Sequence, residues 1–328
     1  MPLVQPQSLS LGLILRWVFT LVAVGGFLGL AAFGAAALSG IGHRWVDILA
    51  QFTAPMLVVA VLGAVLCLAL RLWPAAVAGA LASLILLIAV WPQWTPPKGR
   101  PQAGAPVLRV YSANVWALNT DVEAMQRSIA AANADIVILV EFGDGPAARI
   151  DDILAGYPHR ALLGRVDRPS GPARSIIAAR RPILRQLPDP PDSLSTVGAV
   201  VDTTLGPINV FGVHLTRPWP FQYQWGQINQ VTALAARRQA APDNPVIAAG
   251  DFNSVSTARI GRQMKTDLGL LPASGWPGTW PTDLPAVLGI TIDQVWRSPD
   301  LALLDRRLGE STGSDHRPVI TEFTRAAE

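Results

Sequence analysis

The segment DIVILVE at residues 135–141 is the stretch that most directly predicts the fold of this chain. Residues 136–140 form an aliphatic run with the length of one β-strand. Because polar residues do not alternate with the apolar ones, the run suits a strand in a sheet that is covered on both faces. The acidic residue at 141 follows where the strand ends, and strand ends are where ligand crevices form in layered α/β domains.

The chain around this segment alternates further strand and helix patterns. Strand-like runs occupy residues 108–115, 175–179, 199–204, 208–214, 246–249, 292–296 and 319–323, and helical spacing occurs at about 121–132, 145–155, 222–240 and 257–268. Several late strands are separated only by short turns, which favours antiparallel pairing. The sequence from residue 107 onward therefore predicts a layered α/β domain with a mixed sheet.

Polar side chains recur at the ends of these predicted strands. Each has an ordinary structural explanation when it is taken singly: a turn residue, a solvated strand end, a helix cap or a satisfied histidine. Their repeated position at strand ends favours a shared site instead. The set consists of Asn114, Glu141, His214, Asp251, Asn253, Asp293, Asp315 and His316.

Seven motifs follow one another in this part of the chain: SANV at 112–115, DIVILVE at 135–141, SIIAARRPI at 175–183, VFGVHL at 210–215, AAGDFNS at 248–254, TIDQV at 291–295 and GSDHRPV at 313–319. In this order they resemble the motifs of the endonuclease/exonuclease/phosphatase superfamily of magnesium-dependent phosphodiesterases. The resemblance implies a DNase I-like α/β four-layer sandwich over residues 107–328, in which two packed mixed β-sheets are flanked by helices. It also implies hydrolysis of a phosphodiester or phosphomonoester by in-line attack of an activated water.

The same resemblance assigns the metal-binding roles. Glu141 would be the principal Mg²⁺ carboxylate, with Asn114 and Asp315 close to the ion or to its waters. Hard oxygen donors that leave room for water suit Mg²⁺, or Mn²⁺ in its place, rather than Zn²⁺. Asp251 would align or deprotonate the attacking water, and Asn253 would position water and phosphate.

Histidines supply the remaining catalytic roles that the resemblance implies. His316 would contact a phosphate oxygen or assist proton transfer, with Asp293 fixing its tautomer. His214 would bind the phosphate from the other side or act as a second acid. Arg217 lies close to His214 in the sequence and is a candidate phosphate ligand, although a surface salt bridge explains it equally well. The effect of Gln294, at a position that is often His or Tyr in the family, stays open.

The first third of the chain has a different character. Uncharged apolar runs at residues 17–38, 52–70 and 72–91 are long enough to cross a bilayer, and tryptophans lie near their ends. The sequence predicts about three transmembrane helices within residues 1–91, which would make the chain an integral protein of a bacterial inner membrane. Three buried helices of a soluble domain, or a signal peptide cleaved near residues 35–37, are the alternatives. The proline-rich segment 92–106 is predicted to be a semi-rigid linker that holds the next domain off the bilayer.

The distribution of charged residues along the chain bears on which substrates and partners are expected. Residues 1–105 contain five basic residues and one acidic residue, which leaves 21 basic and 22 acidic residues for the remainder. The pI of 9.5 therefore comes from the apolar third and gives no reason to expect a nucleic acid. The predicted substrate is either a nucleic acid or a phospholipid or phosphoinositide head group, and the lipid bilayer is the second predicted partner. A non-catalytic membrane scaffold is the alternative function, no protein partner is predicted, and the side of the membrane stays open.

Overall fold

The computed structural model describes residues 10–164, 171–189, 194–218, 224–273 and 275–327. Its helices are α1 (Leu11–Leu38), α2 (Arg44–Ala50), α3 (Thr53–Ala69), α4 (Trp73–Trp94), α5 (Val122–Ala132), α6 (Asp144–Ala147), α7 (Ile150–Ile153), α8 (Gln224–Ala240) and α9 (Arg259–Leu268). Its strands are β1 (Leu108–Asn114), β2 (Ile136–Val140), β3 (His159–Leu163), β4 (Ser175–Ala179), β5 (Ile183–Gln186), β6 (Ser195–Val201), β7 (Ile208–His214), β8 (Val246–Asp251), β9 (Leu271–Pro272), β10 (Asp293–Arg297), β11 (Leu301–Leu308) and β12 (Val319–Arg325).

Two mixed sheets of six strands each form the centre of the domain that follows the apolar helices. Their strand orders are β11-β12-β1-β2-β4-β3 and β5-β6-β7-β8-β10-β9. Each sheet contains one parallel pair, β1 with β2 and β7 with β8, and the other neighbours are antiparallel. The prediction of two packed mixed sheets is therefore confirmed.

The sheets are held together by an apolar layer between them. Val110 and Ile138 from the first sheet and Val210, Ile247 and Val295 from the second are fully buried in one cluster. Removing such side chains from water is the main favourable contribution to folding. This layer fixes the two sheets face to face, so that strand ends from both of them can contribute to a common site.

Helices cover the outer face of each sheet, which completes the four layers. Met125 and Ile129 of α5 pack on Val137 and Leu139 of the first sheet. On the other side, a cluster from α8, α9 and the second sheet contains Val231, Leu234, Ile260, Met264, Phe211 and Ala248. Both faces of each sheet are therefore buried, which explains why β2 reads as an unbroken aliphatic run.

The predicted strands and helices agree with the structure in most places. The bounds of β4 and β7 are those predicted, whereas the single helix predicted over 145–155 is divided into α6 and α7. The predicted first residues of α8, 222 and 223, lie outside the described residues. The sequence patterns missed β3, β5, β9 and β11. Of these, β5 is an edge strand whose residues are mostly exposed, so it lacks an apolar run.

The prediction of three separate transmembrane helices is corrected to two helices, α1 and α4, that are long and apolar enough to cross a membrane. A third span exists only if α2 and α3, which meet at a bend of 63°, are counted together. Pro55 explains the break, because it has no N–H to donate to the carbonyl of Gln51. Alone, the 17 residues of α3 reach about 26 Å at 1.5 Å per residue, short of a hydrocarbon core of about 30 Å. The run 17–38 lies within α1, which begins at Leu11, and the run 72–91 begins one residue before α4, which continues to Trp94.

The segment after α4 packs on the domain instead of holding it away from the helices. The Leu303 amide donates to the carbonyl of Lys98 at 2.7 Å, and the Gln102 amide donates to the carbonyl of Arg325 at 2.9 Å. Arg297 adds a side-chain hydrogen bond to the Pro97 carbonyl at 2.6 Å. The prediction that residues 92–106 act as a spacer is therefore wrong, because their backbone polar groups bond to β11, β12 and their surroundings.

Candidate active site

The two parallel strand pairs bring the predicted site residues together. In the first sheet, Asn114 at the end of β1 lies opposite Val140, so Glu141 follows at the same edge. In the second sheet, His214 at the end of β7 lies opposite Asp251 at the end of β8. The carboxyl ends of both parallel pairs therefore supply polar side chains to one region between the sheets.

The antiparallel neighbour of β8 contributes the next acidic residue. Asp293, the first residue of β10, is in register with Asp251. The loop before β12 places His316 beside it, with the two side chains joined at 2.9 Å. A site assembled in this way needs correct packing of both sheets, because its groups come from six strand ends or the loops beside them.

The backbone at this edge adopts conformations that are uncommon outside glycine. Glu141 and Asn253 have φ angles of 53° and 48°, in the left-handed region that costs free energy for non-glycine residues. Gly250 precedes Asp251 at a φ of 142°, and a Cβ there would lie 2.0 Å from the carbonyl oxygen of Val213. Glycine is therefore required at 250 for β8 to pass close to β7.

Glu141 is a carboxylate whose surroundings favour its ionised form. Asn114 Nδ2 donates to its Oε1 at 3.0 Å, and His214 Nε2 lies 3.2 Å from the same oxygen. Burial acts to raise the pKa of Glu141, but the hydrogen bonds and the charge of His214 outweigh it and lower this pKa to about 2. The interaction is reciprocal: burial acts to lower the pKa of His214, and Glu141 with Asp251 raises it above its ordinary value.

Asp251 connects the two halves of the site. Its Oδ2 accepts a hydrogen bond from Asn114 Nδ2 at 3.0 Å and lies 3.9 Å from His316 Nε2. Its Oδ1 accepts from the backbone N–H of Asn253 at 2.8 Å. Burial raises the pKa of Asp251, and the nearby negative charge of Asp293 adds to the effect although the histidines oppose it. A carboxyl group with a raised pKa is suited to exchange protons near neutral pH.

His316 and Asp293 form a buried pair. His316 Nδ1 lies 2.9 Å from Asp293 Oδ2, so the ring is held with Nε2 directed towards Asp251. Burial acts to lower the pKa of His316, but the charge of Asp293 and its hydrogen bond raise that pKa to about 10. Asp293 Oδ1 is buried without a hydrogen-bond partner among the described residues. The pair therefore presents an imidazolium to the site at neutral pH.

Two overlapping groups in the described part of the chain have side-chain spacing suitable for a metal ion. They are Glu141, His214 and Asp251, and Asp251, Asp293 and His316, with the donor atoms of each group within 4.8 Å of one another. Asn114 joins the first group through its hydrogen bonds. The predicted metal ligand Asp315 belongs to neither group: its Oδ2 accepts from Trp280 Nε1 at 3.1 Å, and its Oδ1 is 4.0 Å from His316 Nε2.

The structure also locates the two residues whose roles the sequence left open. Arg217 is exposed at the wall of a cavity that contains Asp251 and His316, and no ion pair to it is found within the described ranges. Gln294 is buried, and its Nε2 donates to the carbonyl of Ser254. Because neighbouring residues of a strand point to opposite faces, Gln294 is directed away from the side that Asp293 occupies.

Sequence analysis did not identify Trp280 or the residues of α2 as part of this region. The ring of Trp280 lies 6.4 Å from that of His316 and lines the same cavity. Ile48, Gln51 and Phe52 line it from the N-terminal side. No local pattern could have identified these three, because their position depends on how the apolar helices dock on the domain.

Comparison with protein families gives one match over most of the domain. A family model described as the Endonuclease/Exonuclease/phosphatase family matches residues 111–316, which include all the predicted site residues. No curated protein matches the chain.

Solved structures give the same fold. An endonuclease/exonuclease/phosphatase from Beutenbergia cavernae aligns with 20% identity and a TM-score of 0.51 over 67% of this chain and 72% of its own. Sphingomyelinase C from Streptomyces griseocarneus aligns with 19% identity and a TM-score of 0.51 over 66% and 99%. The human Nocturnin catalytic domain with bound sulfate aligns with 18% identity and a TM-score of 0.53 over 71% and 100%. At these identities the similarity establishes the fold and leaves the substrate open.

Proposed function

We propose that this chain, which belongs to the endonuclease/exonuclease/phosphatase family, is a membrane-anchored, metal-dependent phosphoesterase. Residues 1–91 would anchor it, and residues 107–328 would hydrolyse a phosphodiester or phosphomonoester by in-line attack of an activated water. One observation carries the proposal: Asn114 bridges Glu141 and Asp251 by two hydrogen bonds of 3.0 Å, with a carboxylate-bound histidine on either side.

The donor set fits a hard divalent cation. Glu141 stays ionised because its pKa is held near 2, and the Asp251 carboxylate lies beside it, with Asn114 Nδ2 3.0 Å from an oxygen of each. Glu141 and Asp251 would hold Mg²⁺ or Mn²⁺, with Asn114 and Asp315 near the ion or its waters. When bound, such an ion supplies Lewis-acid stabilisation of a phosphoryl oxygen. A magnesium-bound beta toxin variant of Staphylococcus aureus has the same fold, with a TM-score of 0.53 and 16% identity.

Asp251 is the group proposed to align the attacking water and accept its proton. Burial keeps its pKa above the ordinary value, so it can take up a proton and release it in each cycle. Asn253 supports this role, because its backbone N–H donates to one oxygen of Asp251 and its Nδ2 lies 3.3 Å from the other. Asn253 would also position the water and the phosphate.

The two histidines are proposed to stabilise the negative charge that develops on the phosphoryl oxygens. His316 is held by Asp293 and His214 by Glu141, so both rings are oriented before substrate binds. Preorganised charge of this kind is the largest single contribution in many hydrolases. Arg217 would add a cation at the cavity wall, where its guanidinium can bind a phosphate through two hydrogen bonds.

The proposal is tested by hydrolysis assays on the full chain in a mild detergent. Bis-p-nitrophenyl phosphate, plasmid DNA and phospholipid vesicles are each incubated with Mg²⁺, with Mn²⁺ and with EDTA. We expect turnover of at least one substrate that requires the metal and is abolished by EDTA. A folded chain that hydrolyses none of the three with either ion would contradict the proposal and favour a non-catalytic scaffold.

A further inference from the structure

The N-terminal region contributes a wall to the candidate active site. A cavity of about 230 Å³ lies over Asp251 and His316, and its opposite side is formed by Ile48, Gln51 and Phe52 from the end of α2 and the bend that follows. Further apolar side chains, Ile290 and Ile292 among them, line it from the domain. A catalytic group on one side therefore faces an apolar surface on the other.

Specific polar contacts fix this wall against the catalytic loops. Asp47 is only 2% exposed, and its carboxylate accepts hydrogen bonds from the backbone N–H of Arg259 at 2.5 Å and from Gln224 Nε2. Because Arg259 is the first residue of α9, this carboxylate also meets the positive end of that helix. Gln51 Nε2 lies 3.4 Å from the carbonyl of Asn253. The wall is thus tied directly to the loop that carries Asn253.

A second set of contacts ties the long helices to the same loops. Gln93 near the end of α4 donates to Thr257 Oγ1 at 2.8 Å and accepts from Thr291 Oγ1 at 3.1 Å. Thr291 lies two residues before Asp293 on the chain. Breaking the hydrogen bonds of a buried amide is costly, because each polar atom left without a partner has already lost its contact with water. These hydrogen bonds therefore hold α4 against the domain close to the candidate site.

The other face of α2 has the character of a segment at the membrane surface. Trp45 is 51% exposed and Leu49 is 40% exposed, whereas Asp47 and Ile48 on the facing side are buried. The helix lies in the connection between the end of α1 and the start of α3. Tryptophan and apolar residues on the outer face of a short helix are typical of the interface between head groups and acyl chains.

We propose that Ile48 and Phe52 are specificity-determining residues and that the substrate is a phosphate ester with an apolar substituent, a phospholipid delivered from the bilayer. This inference rests on the proposed phosphoesterase function and names its substrate class. The phosphate would lie at Arg217 and His316, and the apolar part would lie against Ile48 and Phe52. One cavity would therefore bind both the charged and the apolar part of an amphiphilic substrate.

The composition of the wall argues against a nucleic acid. A nucleic-acid backbone binds along a track of basic side chains. Among the described residues that line the cavity, Arg217 is the only arginine or lysine, and it shares the wall with Asp315. Aliphatic side chains contribute little to a polyanion but favour an acyl or alkyl group, because burying apolar surface is favourable.

Three p-nitrophenyl phosphodiesters with the same leaving group test this inference on the full chain in detergent. Their second substituents are methyl, decyl and thymidine 5′-yl, and the decyl ester is used below its micelle concentration. We expect kcat/KM for the decyl ester to exceed that for the methyl ester by about tenfold or more, mainly through KM. The thymidine ester should show no such advantage.

Substitutions of Ile48 and Phe52 test whether this wall causes the preference for the decyl ester. Phe52→Ser and Ile48→Ser should reduce the decyl-to-methyl ratio about fivefold or more, whereas Phe52→Leu should retain it because an apolar surface remains. Leu49→Ser is the matched control, since Leu49 lies on the same helix and does not line the cavity. Gel filtration and circular dichroism verify folding of each variant.

The outcomes separate the inference from the function on which it rests. Equal rates for the methyl and decyl esters, a preference for the thymidine ester, or a ratio unchanged by both serine variants would overturn the lipid inference while leaving a phosphoesterase. Absence of metal-dependent turnover of all three esters would overturn the proposed function and the inference with it.

Discussion

The apolar helices and the α/β domain distribute the same residue types in opposite ways. Leu62 in α3 is 65% exposed, while Val110 and Ile138 in the sheets are fully buried. Conversely, several polar side chains of the N-terminal region, Asp47, Gln51 and Gln93 among them, are buried. Exposed apolar side chains are what is expected of helices that contact lipid, whereas buried apolar side chains are typical of a domain in water.

The buried polar residues of the N-terminal region attach it to the domain. Gln51 and Gln93 bond to loops of the domain that carry or precede candidate site residues, and Asp47 bonds to the first residue of α9, the helix that follows the loop carrying Asn253. The two regions therefore differ in which residue types they bury, but they contact each other through hydrogen bonds next to the candidate active site. Substitutions in the helices, in the domain and at this contact test the difference in burial.

The largest expected effect falls on the domain and leaves the helices untouched. Asp251→Asn and His316→Ala should each lower kcat by about two to four orders of magnitude, because each removes a group proposed to exchange a proton or stabilise charge. Thermal unfolding in detergent should change little for Asp251→Asn. Steady-state kinetics on the best substrate of the panel provides the measurement, and near-wild-type kcat in either variant would refute the assigned roles.

A matched pair of truncations tests the opposite burial directly. Ile138→Ala should destabilise the domain by about 2–5 kcal/mol, since it opens a cavity between the sheets. Leu62→Ala removes an aliphatic side chain of the same size from the exposed face of α3 and should change stability by less than about 0.5 kcal/mol. Unfolding by denaturant in one detergent compares the two. Equal losses would mean that the helices are packed like a soluble core.

Removing the buried carboxylate at the junction should have an intermediate effect. Asp47→Ala takes away an acceptor for two hydrogen bonds and should cost about 1.5–3 kcal/mol in stability. We also expect faster proteolysis near α2, because the helix loses its attachment to α9. Asp305→Ala, at an exposed position of β11, serves as the control. Identical proteolysis of both variants would show that Asp47 does not hold the junction.

The smallest effect is a dependence of stability on pH that comes from the domain alone. The pKa of His316 is about 10 in the folded chain and ordinarily 6.5, so its protonated form favours the folded state. This contribution is complete below about pH 6.5 and is lost as the pH rises towards about 10. Wild type should therefore lose stability over this range in EDTA more steeply than His316→Gln. Parallel pH profiles for the two proteins would contradict the assigned pairing with Asp293.

Much of the domain could be predicted from local patterns. The strands that contribute to the buried layer are apolar runs, so β4 and β7 were found with their correct bounds. β11 was missed because its second half alternates between partly buried and exposed residues and contains charges. The strand-end polar residues of the candidate site were recognisable in the sequence because each follows or begins such a run.

What could not be predicted depends on contacts between distant parts of the chain. The polar group of Asp47 is isolated within an apolar third of the sequence, and nothing near it indicates a partner more than 170 residues away. The spacer role of residues 92–106 was inferred from proline content, which describes a free linker and takes no account of hydrogen bonds to β11 and β12. The wall formed by Ile48 and Phe52 could not be predicted for the same reason, because it depends on how the N-terminal region packs on the domain.

Calorimetric titration of Mg²⁺ into the full chain in detergent tests for a metal centre at Glu141 between the two sheets. We expect saturable binding by wild type, loss of that binding in Glu141→Gln, and unchanged binding in Glu123→Gln, whose side chain is exposed on α5. Absence of Mg²⁺ binding to folded wild type, or binding that Glu141→Gln leaves intact, would show that Glu141 holds no such metal.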